Sequence, residues 1–323
     1  MVIKIMRAIK VFEKGASNVL KIVEVDKPEL KEGWSLVKAK GFGINRSEIF
    51  TRKGYSPDVV FPRILGIECV GIIEESTDEK NLPVGSKVVS IMGEMGRAYD
   101  GSYAEYVLLP NNQIYKVSSN LSWGDFAAIP ETYYTAFGSL KNLNINKDDK
   151  VLVRGATSGV GVAFAKLLKA KYPSIYLTGS TRKENKITKL KSYGYDEVIL
   201  DKDGILDTNQ SFDKILELVG PAVIKDSISH LNEFGIICNT GLLGESWYLE
   251  EFDPIMELKN NIYLTAFYSG GVNESKLNEM FTYMKEHKIK IKPEKIFNLA
   301  EIVKAHDYLE NNESFGKVVV VND

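Results

Sequence analysis

The sequence predicts an α/β protein in which a β-rich domain precedes a doubly wound dinucleotide-binding domain. From Met1 to about Trp123, short β-type runs are separated by glycine, proline and polar clusters. From Lys150 onward, predicted strands alternate with helices, and six strands can be counted, the number in a doubly wound dinucleotide-binding sheet. A glycine-rich turn follows the first of these six strands.

The glycine-rich turn predicts a phosphate-binding site. Gly155, Gly159 and Gly161 follow a short β-branched run in the spacing G-x-x-x-G-x-G, which departs from the simplest G-x-G-x-x-G fingerprint. Their missing Cβ atoms permit a tight turn and the close approach of a pyrophosphate. The positive end of the following helix, Val160 to about Lys171, attracts that group. The residues that we expect to contact a dinucleotide here are Gly155, Thr157, Ser158, Gly159, Val160 and Gly161.

The end of the second predicted strand, Ile175 to Thr178, indicates which nicotinamide cofactor is used. A free ribose 2′-hydroxyl is usually held by an acid at this position, whereas a 2′-phosphate needs hydroxyls and cations. No acid occurs from residue 175 to residue 183, and Gly179 occupies the expected acid position. We interpret Lys183 as a solvated residue of the next helix, predicted over Lys183 to Tyr193. The prediction is therefore NADPH rather than NADH, bound through Ser180, Thr181 and Arg182.

Composition and charge exclude several classes of function. The chain has 323 residues, of which 44% are hydrophobic and 26% charged, as expected for a globular protein of two domains. A net charge of −2 and dispersed basic residues predict small-molecule partners rather than nucleic acid or a membrane surface. Because Cys69 and Cys238 are the only cysteines, and no signal-like or long apolar run occurs, we expect a cytoplasmic protein.

Six short blocks resemble the motifs of one enzyme family. They are Gly43 to Glu48, Arg52 to Tyr55, Leu65 to Gly71, Ala127 to Pro130 leading to Thr135 and Ala136, Gly241 to Gly244, and Gly316 to Val319. On these blocks the chain resembles the medium-chain dehydrogenase/reductase family, specifically its zinc-independent quinone oxidoreductase branch. The resemblance implies a GroES-like β-rich catalytic domain over residues 1–123, completed by residues 297–323, and a Rossmann dinucleotide-binding domain over residues 124–296.

The resemblance also implies that no catalytic zinc is bound. In the zinc alcohol dehydrogenases of this family, a Cys lies near the position of Asn45 and a His immediately precedes the acid at Glu68. This chain has Asn45 and Ile67 at those two positions. Because a catalytic zinc needs three protein ligands of the His, Cys or carboxylate type, we expect no metal site. Glu68 is interpreted as a buried acid bonded to backbone or to an arginine.

The activity implied by the resemblance is hydride transfer from NADPH to a quinone or an α,β-unsaturated carbonyl. Without zinc, hydrogen-bond donors must stabilise the charge that develops on the acceptor oxygen, and Asn45 and Tyr55 are the candidates. Tyr55 could equally be a loop aromatic packed on a neighbour. In many relatives a tyrosine near the third strand helps to bind the 2′-phosphate, and Asp201 stands there in this chain. The remaining cofactor contacts implied by the resemblance are Asn45, Thr135, Gly241, Leu242 and Lys317.

Three alternatives were weighed against this activity. The short-chain reductases share the glycine spacing, but none of the 16 tyrosines has the lysine four residues later that their catalysis requires. An enoyl-thioester reductase of the same family would use Tyr55 as its donor, and a non-catalytic NADPH-binding protein would keep the fold without turnover; both stay open.

His230, His287 and His306 fall on predicted helices, and we interpret them as surface or interface residues rather than acid–base groups.

The last predicted strand of the dinucleotide-binding domain, Asn261 to Phe267, indicates how the protein assembles. In a doubly wound sheet this strand lies on an edge with unpaired N–H and C=O groups. It contains no proline and no charge that would protect the edge. Relatives pair it with its copy across a two-fold axis, so we expect a homodimer held by antiparallel pairing of this strand.

Overall fold

The computed structural model describes residues 5–311 and 314–322, which form two compact units. The first unit contains residues 5–131, 270–277 and the described residues from 291 onward. The second unit contains residues 132–269 and 278–290. Within the described ranges, no helix is long and apolar enough to cross a membrane.

Residues 5–131 form mostly short strands, as their β-type runs and turn residues predict. The elements are β1 (Ile5–Val11), β2 (Leu20–Asp26), β3 (Trp34–Gly43), α1 (Arg46–Lys53), β4 (Arg63–Ile64), β5 (Glu68–Ser76), β6 (Lys87–Ile91), β7 (Tyr106–Pro110), β8 (Tyr115–Lys116) and α2 (Trp123–Ala127). The strands β4 and β8 have two residues each, too few to produce a period in the sequence.

The second unit alternates strands and helices around one sheet. The elements of this part of the chain are α3 (Pro130–Asn142), β9 (Lys150–Arg154), α4 (Gly159–Lys171), β10 (Tyr176–Thr181), α5 (Ile187–Ser192), β11 (Glu197–Lys202), β12 (Ile205–Leu206), β13 (Phe212–Glu217), α6 (Ile224–Ser229), β14 (Leu231–Asn239), α7 (Pro254–Glu257) and β15 (Tyr263–Ala266). The strand order is β12-β11-β10-β9-β13-β14-β15. Neighbouring strands are parallel, except that the two-residue β12 pairs antiparallel with β11. Six parallel strands in this doubly wound order confirm the predicted fold class.

The tail of the chain completes the sheet of the first unit. Its elements are α8 (Glu274–Glu286), β16 (Lys295–Asn298), α9 (Ile302–Glu310) and β17 (Val318–Val321). β17 pairs parallel with β16 and antiparallel with β3, which gives the order β16-β17-β3-β5-β6-β8, with β7 also paired to β3. β1, β2 and β4 form a second sheet. Residues from both ends of the chain share one core, where Ile9, Phe42, Ile302 and Val320 have no exposed surface.

Two predicted helices differ from the structure. The sequence pattern of Asp125 to Leu140 predicts a single helix that passes through Pro130. This prediction is wrong, because α2 ends at Ala127 and α3 begins at Pro130. Proline has no N–H and a fixed φ, so it suits the first turn of a helix rather than its interior. The helix predicted over Lys183 to Tyr193 is a 3-10 turn, Glu184–Lys186, followed by the short α5.

Candidate functional site

The glycine-rich turn lies between β9 and α4 of the second unit. Gly155 has a φ of +82°, which glycine adopts without strain. Ser158 is the N-cap of α4, and its side chain accepts the Gly161 N–H at 3.1 Å. A Cβ on Gly161 would lie 2.7 Å from the carbonyl oxygen of Ala156, so the turn leaves no room for a side chain there. Of the other residues predicted for phosphate contact, Thr157 lies in the same turn, and Gly159 and Val160 are the first two residues of α4.

Gly179 does not stand at the end of its strand. β10 continues to Thr181, three residues beyond the predicted end at Thr178. A Cβ on Gly179 would lie 2.7 Å from the ring of Tyr195 and 2.9 Å from Cβ of Ala156. The predicted strand end at Thr178 is therefore wrong, and the strand end carries Thr181 and then Arg182.

The three residues predicted for the 2′-phosphate have different surroundings. The Ser180 hydroxyl is buried and accepts the Gly155 N–H at 3.1 Å, so it supports the glycine-rich turn. Thr181 is also buried, and its Oγ1 accepts the Lys183 N–H at 3.2 Å. Arg182 is exposed, and its guanidinium is the charged group of the three.

Sequence reasoning missed a buried arginine immediately before the glycine-rich turn. Arg154 ends β9 and has no exposed surface. Its Nε donates to Asp201 Oδ2 at 2.8 Å, and its Nη1 donates to Asp226 Oδ2 at 2.7 Å. Asp201 Oδ1 accepts the Gly204 N–H at 3.1 Å, so both oxygens of this carboxylate are bonded. Burial lowers the pKa of Arg154, but the bond to Asp201 and the nearby carboxylates together raise it above its ordinary value.

The Ser139 hydroxyl links the two segments that contain Thr135 and the pair Gly241 and Leu242. Ser139 in α3 donates from Oγ to the Thr135 carbonyl at 2.8 Å, and the same oxygen lies 2.9 Å from Thr240 Oγ1. Thr240 directly precedes Gly241, where a Cβ would lie 2.1 Å from a backbone oxygen. The structure thus places these three predicted cofactor residues near one another within the second unit.

Four polar side chains of the first unit form a hydrogen-bonded group around Gly43; this polar cluster consists of Asn45, Glu48, Glu68 and Lys317. Lys317 Nζ donates to Glu68 Oε1 at 2.6 Å and to Asn45 Oδ1 at 2.5 Å. Asn45 Nδ2 donates to Glu68 Oε1 at 2.9 Å and to Glu48 Oε1 at 3.3 Å. A Cβ on Gly43 would lie 2.1 Å from Lys317 Cε and 2.4 Å from Glu68 Oε1, so glycine is needed to make room for the ion pair.

Glu68 is buried and bonded to backbone, as predicted, but its cationic partner is a lysine rather than an arginine. Its Oε2 accepts the Glu131 N–H at 2.8 Å, while Oε1 accepts from Lys317 and Asn45. The Glu68 side chain has no exposed surface, whereas that of Lys317 keeps 6%. Both members of the pair are therefore buried, and Lys317 alone keeps a small exposed side-chain surface.

Glu48 is the second buried carboxyl group of the polar cluster. Its two oxygens accept the backbone N–H of Asn45 at 3.1 Å and the backbone N–H of Ile67 at 3.3 Å. Burial, the largest effect, raises the pKa of Glu48 to about 7, and the negative charge of Glu68 adds to it, while Lys317 opposes it. The protonation of this carboxyl group therefore changes close to neutral pH.

Tyr55 lies in the turn after α1 and is 47% exposed. Its ring centroid is 6.2 Å from that of Phe50, and its N–H donates to the Phe50 carbonyl at 2.9 Å. Of the residues predicted to meet the acceptor, Asn45 belongs to the polar cluster and Tyr55 lies beside Phe50. Lys317, predicted as a cofactor contact, is also in the polar cluster.

The prediction that His306 is a surface or interface residue is wrong. The residue is fully buried in α9, and its Nε2 lies 3.0 Å from the Tyr103 hydroxyl. Burial, with the nearby Arg52 charge, lowers the pKa of His306 to about 3, so this imidazole stays neutral in the folded protein. His230 and His287 are half-buried.

Potential metal ligands do not cluster in the part of the chain that the structure describes. Among residues 5–311 and 314–322, no group of three or more His, Cys, Asp or Glu side chains could hold a metal ion. Cys69 and Cys238 are both buried free thiols. Burial raises the pKa of Cys69 to about 12, which keeps it a thiol.

This chain is similar to several known oxidoreductases. The family model described as alcohol dehydrogenase GroES-like domain matches residues 31–119, and that described as zinc-binding dehydrogenase matches residues 193–320. A quinone oxidoreductase of Lama guanicoe is 30% identical over 250 residues, which cover 75% of this chain and 71% of that protein. The 2-methylene-furan-3-one reductase of Solanum lycopersicum is 26% identical over 326 residues, covering 98% and 79%. The solved quinone oxidoreductase from Coxiella burnetii superimposes with a TM-score of 0.85 at 26% identity, covering 99% of this chain and all of that one.

Proposed function

The chain belongs to the medium-chain dehydrogenase/reductase family and is quinone oxidoreductase-like, and we propose that it is a zinc-independent reductase that transfers a hydride from NADPH to a quinone or an α,β-unsaturated carbonyl. One observation carries this proposal. The chain combines a turn shaped for a dinucleotide with a polar cluster that offers a cation in place of metal ligands.

The choice of NADPH is supported by the charges at the end of β10. NADPH, when bound, supplies the hydride. Its phosphates would be held by the glycine-rich turn, which Gly155 permits by its positive φ and Gly161 by its close packing on Ala156. Arg182 offers a guanidinium for the 2′-phosphate, and neither Thr181 nor Arg182 is acidic. Asp201, on the neighbouring strand, has both oxygens bonded to other groups, so it is not a free acid for a ribose 2′-hydroxyl.

Zinc independence is supported by the residues that surround Asn45. Ile67 offers no metal ligand, and the Lys317 ammonium bonds the oxygens of both Asn45 and Glu68. An ammonium group in that position repels a divalent cation, so these residues do not fit a catalytic zinc. We expect elemental analysis to find no stoichiometric zinc and chelator to leave turnover unchanged. Stoichiometric zinc together with loss of turnover in chelator would contradict this part of the proposal.

The proposed acceptor class rests on the two named relatives. One is a quinone oxidoreductase, and the name of the other, 2-methylene-furan-3-one reductase, describes an α,β-unsaturated ketone as its substrate. In both acceptors, addition of a hydride to an electron-poor carbon places negative charge on an oxygen. The protein must then supply a hydrogen-bond donor to that oxygen.

A stopped-flow screen of cofactor oxidation tests the proposed function. Quinones, enones and enoyl-CoA esters would each be mixed with the protein and NADPH, with NADH as the matched comparison. We expect turnover with quinones or enones and a preference for NADPH. Faster turnover of enoyl-CoA esters would favour the enoyl-thioester reductase, with Tyr55 as its donor. Tight binding of NADPH without oxidation by any acceptor would favour the non-catalytic binding protein.

We also propose a homodimer that pairs β15 with its copy. β15 ends the strand order of the second unit, and Tyr263 on this strand is 57% exposed. The neighbouring Tyr268 is 73% exposed. An edge with this apolar content and no charged residue is suited to pairing across a two-fold axis.

A further inference from the structure

The proposed function needs a hydrogen-bond donor for the acceptor oxygen, and Asn45 has none to spare. An asparagine side chain carries two N–H donors. Those of Asn45 point to Glu68 Oε1 and to Glu48 Oε1, and its own oxygen accepts from Lys317. Its hydrogen bonds therefore hold the other members of the polar cluster in place.

Lys317 differs from Asn45 because its ammonium group has more N–H donors than the acceptors that bond to it. An ammonium group has three N–H donors, and the structure gives Lys317 two acceptors among the described residues, Glu68 Oε1 and Asn45 Oδ1. The third N–H is left for a ligand. Lys317 also keeps exposed side-chain surface where Glu68 has none. Gly43 leaves the space in which this ammonium sits, so its position is set before any ligand binds.

We propose that Lys317 is the catalytic residue that donates to the acceptor oxygen as negative charge develops there, and that Asn45 and Glu68 are positioning residues. This inference rests on the proposed function. In an enone, the hydride adds to the β-carbon, the C=C electron pair moves toward the carbonyl, and the oxygen becomes an enolate anion. In a quinone, the same addition to a ring carbon gives an enolate, which becomes the hydroquinone anion when a proton moves from that carbon to the other oxygen. A fixed cation 2.6 Å from Glu68 and 2.5 Å from Asn45 stabilises that oxygen without having to reorganise. A proton from solvent then completes the product.

The test compares four variants with the wild-type protein. Lys317→Met removes the cation, and Lys317→Arg keeps a charge with a different reach. Lys317→Met leaves Glu68 buried without its cation, which can prevent folding. The double variant Lys317→Met/Glu68→Gln removes both charges and separates a folding defect from a catalytic one. Lys292→Met is the matched control, because Lys292 is an exposed lysine of the same unit.

Two measurements are made on each variant. The first is kcat with the best acceptor, together with the Kd of NADPH from its fluorescence. We expect Lys317→Met and the double variant to lose at least about 100-fold in kcat, the usual effect of removing an oxyanion donor, with the Kd of NADPH within threefold of wild type. Lys317→Arg should recover part of the loss, and Lys292→Met should match wild type.

The second measurement does not depend on turnover. The anion of 4-nitrophenol is an oxyanion whose absorption differs from that of the neutral phenol, and its binding would be titrated with NADP⁺ present. Binding to wild type should be at least tenfold tighter than to Lys317→Met. An absence of this difference overturns the proposal, even if no acceptor is turned over and the proposed function itself fails. A weaker Kd for NADPH with unchanged kcat in Lys317→Met also overturns it, because Lys317 would then be a cofactor phosphate contact.

Discussion

Gly43→Ala tests whether the space at Gly43 is what holds the Lys317 and Glu68 pair together. The added methyl group would lie 2.1 Å from Lys317 Cε, 2.4 Å from Glu68 Oε1 and 2.6 Å from Lys317 Nζ. Gly43 ends β3 and is absent from the residues with positive φ, so alanine suits the backbone there. The effect of the substitution is therefore steric, and it falls on two charged side chains that have almost no exposed surface.

The expected loss of stability follows from three contributions. Overpacking a filled site costs about 1–3 kcal/mol. Pushing a buried ion pair apart costs up to about 3–5 kcal/mol when one charge is left without its partner. Replacing glycine by alanine in a compatible backbone returns about 0.4–1 kcal/mol by restricting the unfolded chain. We expect a net loss of about 2–4 kcal/mol in the free energy of unfolding, since the pair can be displaced without being fully separated.

Urea unfolding of Gly43→Ala, followed by circular dichroism, measures this loss. Gly271→Ala is the matched control in the same unit, because its Cβ would meet only Lys276 Nζ at 3.7 Å and its φ is not positive. The control should stay within about 0.5 kcal/mol of wild type, the usual range for an unconstrained surface site. The reasoning is refuted if Gly43→Ala also stays within that range, because the cluster would then move aside without cost.

Three further predictions concern the cofactor, the assembly and pH. Arg182→Ala should weaken NADPH at least tenfold, from a lost phosphate contact of about 1.5–3 kcal/mol, and leave NADH nearly unchanged; Lys183→Ala is the control, and an equal effect on both cofactors in titration calorimetry would contradict the prediction. Thr265→Lys should convert the proposed dimer to monomer in light scattering by placing like charges near the proposed two-fold axis, whereas Thr188→Lys on exposed α5 should not; a dimeric Thr265→Lys protein would argue against β15 pairing. Because burial raises the pKa of Glu48 from 4.5 to about 7, its stabilising effect is complete below pH 4.5 and is lost as pH rises through 7. The wild-type protein should therefore lose up to about 3 kcal/mol relative to Glu48→Gln between pH 5 and pH 8, and parallel stability curves would rule out this titration.

The second unit could be predicted from the sequence because its signals are local. Each strand is a short apolar run, and the glycine-rich turn lies within seven residues, so period and spacing identify them. Two boundaries failed for local reasons as well. The sequence pattern predicts Pro130 inside a helix, although Pro130 begins one, and it predicts a strand end at Thr178, although β10 continues to Thr181. At Pro130 the backbone follows the preference of proline for the first turn of a helix. At Gly179 the strand continues because the glycine packs against Tyr195 and Ala156.

The polar cluster could not be predicted as a unit, because its members are far apart in the chain. The bond between Asn45 and Lys317 spans 272 positions, and no period connects them. One signal was available in Gly43, since a glycine inside a strand marks the close approach of another group. A helical position alone predicts His306 at the surface, but it does not show which face of the helix meets the core. This histidine is buried and lies edge-on to the Tyr103 ring, with a centroid distance of 5.7 Å.

Arg154 is not one of the residues proposed to contact the 2′-phosphate, but it affects the proposed cofactor preference through Asp201. The register of β10 and β11 pairs Thr181 with Leu200, so Asp201 lies alongside Arg182 at the carboxyl ends of these two strands. A free carboxylate there would repel a 2′-phosphate and would accept a hydrogen bond from a ribose hydroxyl. Arg154, at the end of β9, donates a hydrogen bond to that carboxylate and offsets its charge. The proposed preference for NADPH would therefore depend on two arginines: Arg182 would supply a cation to the 2′-phosphate, and Arg154 offsets the charge of Asp201.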